Sequence, residues 1–213
     1  MNKLFSFLMA LVIAFTVISC QCTNNNGTQN LGEPATEQID SFYVEHTVAL
    51  DRQSMFAEVG DNYRWYETQI RLVDFLDEEN DGSIDMLVNI FQAVNQVSET
   101  SFDTVVYKFQ HNADGTVVGS VNGFWIEDFP MNDEAIKVSF REAYDKVMSV
   151  NYPKPHTRYV TLRKQVGPVD ANPQWIFGNL KSQLYVDAVT GDVTDKNPAF
   201  GGLNLGTPLG EWP

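Results

Sequence analysis

The residues best spaced to do chemistry are the acidic ones of DEENDGSID at positions 77–85. With Asp77 as the first residue of a calcium loop, carboxylates stand at the first, third, fifth and ninth places (Asp77, Glu79, Asp81, Asp85). Gly82 takes the sixth place, where such loops turn sharply, and Ile84 the eighth. Oxygen donors at this spacing suit a hard divalent cation. The twelfth place, which should carry a bidentate Glu, holds Val88, and Glu79 is one methylene longer than the usual Asp or Asn. Without that last ligand the shell stays open. The stretch therefore reads as a solvated acidic turn with Asn80, Asp81 and Gly82 at its tip, leading into a helix N-terminus. Weak calcium binding is the alternative, and no metal ligand is assigned.

The other reactive side chains are scattered. His46 lies in a mixed segment, His111 at a predicted hairpin tip and His156 in a proline-flanked loop. There is no G-x-S-x-G elbow, no H-E-x-x-H and no glycine-rich phosphate loop after a strand. Among 28 acidic residues, a pair of distant carboxylates carries no information. No catalytic or cofactor residue is assigned, and the expectation is a protein that is not an enzyme. Trp65, Trp125, Trp175 and Trp212 are expected to pack in or around the core, with an exposed platform for a peptide or glycan as the alternative. The whole chain has 213 residues and carries 14 basic against 28 acidic side chains, a formal charge of −14. That balance excludes a general nucleic-acid binder, which needs clustered cations. With 43% hydrophobic residues the chain can build a core, which excludes disorder throughout.

The first 19 residues place one cation, Lys3, before an apolar run that is short for a membrane span. The run ends Val17, Ile18, Ser19, Cys20, which resembles a bacterial lipobox. The resemblance implies cleavage before Cys20 and acylation of Cys20, leaving Cys22 without a disulfide partner. Two or three acyl chains anchor stably where one is marginal. Gln21, rather than Asp, follows Cys20, and by the same resemblance this implies export to an outer membrane. Residues 20–37 are rich in Asn, Thr and Gln and read as a flexible tether.

Beyond the tether, Ser139 and Glu142 match a capping box, and Phe140, Ala143, Tyr144, Val147 and Val150 share a helical face. Strands follow at 158–166, 174–177 and 184–187, and a glycine turn lies at 189–193. Upstream, 102–110 and 116–125 read as strands joined at Asp114 and Gly115. Ile84, Leu87, Val88, Phe91 and Val94 read as an amphipathic helix. Tyr66, Thr68, Ile70 and Leu72 alternate as a strand, although a helix through Tyr66, Ile70, Val73 and Leu76 fits nearly as well. Phe42, Val44 and Val48 suggest a strand or short helix.

The helix opening SFREA at 139–143, the strand around Pro173, Trp175 and Phe177, and the closing VDAVTGDV at 186–193 resemble the PepSY domain family. The resemblance covers about 57 residues and implies a module that inhibits or locally regulates peptidases, with no catalytic residues to carry over. The expected fold class is α+β, with small antiparallel sheets each packed against a helix; one continuous domain is the main reading of the two stretches and a pair of tandem related units the alternative. The expected organisation is signal 1–19, tether 20–37, N-terminal α+β region 38–135, PepSY-like domain 136–200 and Gly-rich tail 201–213. The expected function is non-catalytic: a lipid-anchored envelope protein whose C-terminal unit binds a protein or peptide, a peptidase being one candidate, by strand addition. A small-ligand or glycan-binding lipoprotein is the alternative.

Overall fold

β-branched and aromatic runs punctuated by Asp-Gly turns at Asp81–Gly82 and Asp114–Gly115 pair with one another. The computed structural model describes residues 40–98, 101–122, 128–179 and 181–202. These lie in one unit, 35–213. The lipobox with Cys20, the tether, Trp125, Trp212 and most of the tail fall outside the described residues.

Helix α1 (Asp40–Val59) is followed by four strands, β1 (Tyr63–Leu72), β2 (Ile84–Ser98), β3 (Ser101–Asn112) and β4 (Val117–Asn122). A short β5 (Asp128–Phe129) precedes α2 (Phe140–Ser149). Four more strands complete the fold: β6 (Tyr159–Gln165), β7 (Gln174–Asn179), β8 (Ser182–Asp187) and β9 (Val193–Thr194). All pair antiparallel in one nine-stranded sheet of order β4-β3-β2-β1-β6-β7-β8-β9, with β5 beside β6. A bulge between Trp65 and Glu67 takes β1 away from β6 beyond the Glu67–Arg163 pair. There β5 takes its place, pairing Phe129 with Lys164, while Met131 bridges to Trp65.

The expected set of small sheets, each packed against its own helix, is therefore wrong. The protein is sheet-rich. β1 and β6 pair over five positions, Glu67–Arg71 with Tyr159–Arg163, and this fuses two meanders into one sheet. Side-chain periodicity specifies a strand and its faces; it does not say which strand borders which, because every backbone edge offers the same groups.

Both helices sit on one face of the sheet. The core between them holds Val44, Val48 and Met55 of α1 and Phe140, Ala143, Tyr144 and Val147 of α2. Against these the strands turn Ile70, Leu72, Leu87, Phe91, Val160, Leu162, Trp175, Phe177, Leu184 and Val186. The Ser139–Glu142 capping box is present and fixes the start of α2. On the other face, the turn at Pro198–Phe200 comes so close that a Cβ on Gly167 would meet the Ala199 carbonyl at 2.2 Å.

The sheet is centred on the Gln69–Thr161 pair. Counting outward from it, the registers put Thr68 where the other half has Val160, and Ile70 where it has Leu162. By the same counting Leu87, Asn89 and His111 answer to Trp175, Phe177 and Val186. One layer of the fold is thus filled in two different ways.

Candidate functional site

α1 buries a stripe made of Val44, Thr47, Val48, Asp51 and Met55. Its two polar members meet three more from the sheet, Thr68 of β1, Asn89 of β2 and His111 of β3. No member of this group of five is more than 5% exposed. Asn89 Nδ2 donates to Asp51 Oδ2 at 2.7 Å and to Thr47 Oγ1 at 3.2 Å. Thr68 Oγ1 donates to Asn89 Oδ1 at 2.7 Å, and Thr47 Oγ1 donates to the Val44 carbonyl at 3.0 Å. His111 Nε2 lies 2.9 and 3.1 Å from the two Asp51 oxygens. Every polar atom of the Asn89 side chain is engaged, and the Asp51 carboxylate receives the imidazole and the amide together. Such a cluster locks α1 to three strands in one register, because any slip strands a buried charge. Its closure to solvent keeps a substrate from the His–Asp pair.

Beside this cluster, α1, α2 and the centre of the sheet leave a cleft of about 190 Å³. Val44 and Val48 wall it on one side and Phe140 on the other, over Trp65, Leu162 and Trp175. The indole N–H of Trp175 donates to the Val138 carbonyl at 2.9 Å, and that of Trp65 to the Glu67 carbonyl at 3.1 Å. Both rings therefore contribute apolar surface to the cleft. Glu45, Asp133 and Ser139 supply its polar rim. Arg52 Nη2 donates to Asp133 at 2.5 Å and the guanidinium lies 5.9 Å from the Trp65 ring centre. Burial pushes the Asp133 carboxyl up, with the Arg52 charge opposing it. Ser139 Oγ is held in the capping box.

At one border of the sheet β4 reads VVGSVN, without a charge. The Asn112 N–H donates to the Thr116 carbonyl at 3.0 Å. Strand alternation then turns the amides of Val118 and Ser120 toward β3, and those of Val117, Gly119 and Val121 outward. Among the described residues nothing pairs with that outer edge. Val117, Val118 and Val121 are 54, 55 and 61% exposed. The opposite border, β9, is two residues long.

The acidic stretch is dispersed. Asp77 pairs with His156 at 2.9 Å, Asp85 with Arg71 at 2.6 Å, and Asp81 Oδ1 accepts the Ser83 N–H at 2.9 Å. The Ser83 bonds hold the Asp81 carboxyl below its ordinary range. Among the described residues no three His, Cys, Asp or Glu side chains converge. Residues 84–98 form β2, which corrects the expected helix after the loop, so Val88 stands in a strand. The other expectations sort as follows. His111 is a buried residue, the last but one of β3, not a hairpin tip. His156 stacks on Phe75 at 4.0 Å, and His46 is exposed on α1. Trp65 and Trp175 are buried. Sequence reasoning missed the Asp51–Asn89–His111 cluster. Its members lie 38 and 60 residues apart from Asp51, with no local spacing to betray them.

Comparison with family models, curated proteins and solved structures returns no match for this chain. The functional argument therefore rests on its own residues.

Proposed function

We propose that the protein is a non-catalytic, lipid-anchored component of the bacterial envelope that binds an extended polypeptide by adding it to β4. The observation that carries this reading is the uncharged outer edge of β4. An extended segment would reach the backbone groups of Val117, Gly119 and Val121 and lay apolar side chains beside three half-exposed valines. Native sheets usually blunt such an edge with charge, proline or brevity, as β9 does by its length. Strand addition is accordingly assigned to the region 38–135, and not to the C-terminal PepSY-like segment. The Cys20 lipobox supports the anchoring, and the C-terminal resemblance brings a peptidase forward as partner class.

The test uses extended peptides selected on the purified domain and amide NMR. Binders should perturb the amides of Val117, Gly119 and Val121, and Gly119→Pro should remove binding while leaving the β3–β4 ladder in place. Proline there deletes an N–H that faces away from β3, which edge strands tolerate. Selected peptides that leave those three amides unshifted, or bind Gly119→Pro equally well, would overturn the proposal.

A further inference from the structure

The cleft between the helices has no part in strand addition, since its walls come from α1, α2 and the sheet centre, three strands away from β4. Its volume of about 190 Å³ is too small for a drug-sized ligand and ample for one ring with a short chain. A dry apolar cavity of roughly 150 Å³ already accepts benzene. The lining narrows the chemistry further. Among the described residues around it, Val44, Val48, Trp65, Phe140, Leu162 and Trp175 supply most of the apolar wall, and both indole N–H groups are spent on backbone carbonyls. Of the polar rim, Ser139 is committed to Glu142, and Asp133 to Arg52. Glu45 remains as an exposed carboxylate at the mouth. A sugar would find few hydrogen-bonding groups there. A ring that carries a cation two or three bonds away would find apolar walls for the ring and Glu45 for the charge.

We infer that this cleft is a binding site for a single-ring arylalkylammonium group, whose ring lies between Trp65, Phe140 and Trp175 and whose cation faces Glu45. The same chemistry is offered by a free aromatic amine and by an N-terminal phenylalanine of a polypeptide, whose α-ammonium also lies three bonds from the ring.

The experiment titrates the purified protein with 2-phenylethylammonium, with the uncharged 2-phenylethanol, and with the dipeptide Phe-Ala-amide bearing a free α-ammonium, following tryptophan fluorescence and the methyl signals of Val44, Val48 and Leu162. The amine should shift those methyls with a Kd of about 1 mM, the scale expected of a ligand this small. It should bind about 2- to 5-fold more tightly than the alcohol, the range of one exposed ion pair. Glu45→Gln, at an exposed helix position, should erase that preference and leave the alcohol's affinity unchanged. A second variant, Val48→Phe, should fill the cleft and remove both ligands. If the dipeptide binds and the amine does not, the site serves a polypeptide and the free-amine source is ruled out; the reverse result rules out the polypeptide. Methyl signals unmoved by all three probes, or equal affinity for amine and alcohol, would overturn the inference. Because β4 takes no part, failure here would leave the amide shifts predicted for strand addition untouched.

Discussion

The two halves of the sheet fill corresponding positions with opposite chemistry. Around β6–β8 the layer under the helices is apolar: Val160, Phe177, Leu184 and Val186. Around β1–β3 it holds Thr68, Asn89 and His111, closed from above by Thr47 and Asp51 of α1. The borders differ too, since β4 is open and uncharged while β9 is two residues long. The apolar half is held by shape and volume, which tolerate small slips. The polar half is held by matched donors and acceptors, which do not. Precise seating of α1 matters most where α1 also walls the cleft. The half that carries the costlier core thus also carries the open edge of β4, while the cleft is walled by residues of both halves.

That contrast can be broken most sharply at His111. His111→Ala leaves the Asp51 carboxylate buried with Asn89 as its remaining partner and should cost about 3–5 kcal/mol in denaturant unfolding. Phe177→Ala in the apolar half should cost a similar amount, about 3–5 kcal/mol, by leaving a cavity. The two should differ in character: the first loss has a charge as its cause and the second a void. A joint replacement of Asp51, Asn89 and His111 by Leu with Thr68 by Val should behave quite differently from His111→Ala alone. It should be neutral or stabilising by up to about 4 kcal/mol, because no charge is left unpaired. A large destabilisation of this quadruple variant would mean that packing, not polar satisfaction, sets the stability of the layer.

A gentler exchange swaps the residues that occupy corresponding sites. Thr68→Val strands the Asn89 oxygen, and Val160→Thr buries a hydroxyl without a partner. Each should lose about 1–3 kcal/mol by thermal or denaturant melting, in opposite chemical directions at the same place in the fold. Smaller still is the exposed pin of the C-terminal half. Ser139→Ala should cost about 1 kcal/mol through loss of the α2 cap. Bonds from Ser139 hold the Glu142 carboxyl below its ordinary range. A depressed folded value means that this contribution is fully present above the ordinary glutamate range and is lost as pH falls through the lower folded value. Glu142→Gln should therefore flatten that part of the acid-unfolding curve. The smallest effect on stability is expected at the open edge, where Gly119→Pro should change the unfolding midpoint by under about 0.5 kcal/mol while removing partner binding.

Legibility in the sequence followed the same divide. The apolar half could be read well: the capping box, the alternation of Val160 and Leu162, and the strands around Trp175 and Val186 all express themselves locally. The Asp114–Gly115 turn did so as well. α1 was hard to read because its buried stripe includes Thr47 and Asp51, which dilute any hydrophobic pattern. β2 reads as a helix because it is buried on both faces. Leu87, Phe91 and Ala93 face the helices and Val88 and Ile90 the other side, so the period of two is hidden. The union of the meanders through β1 and β6 leaves no side-chain signal, since it is a backbone pairing. The polar cluster is assembled by that folding and has no existence along the chain.

The binding claim is tested most directly by comparing the two borders of the sheet in place. A photo-crosslinking residue is installed at Val118 on β4 or at Thr194 on β9 in the anchored protein, and the cells are irradiated. The account predicts polypeptide adducts from position 118, none from 194, and loss of the 118 adducts when Gly119→Pro is added. Adducts from 194 with none from 118, or adducts at 118 that survive Gly119→Pro, would contradict it.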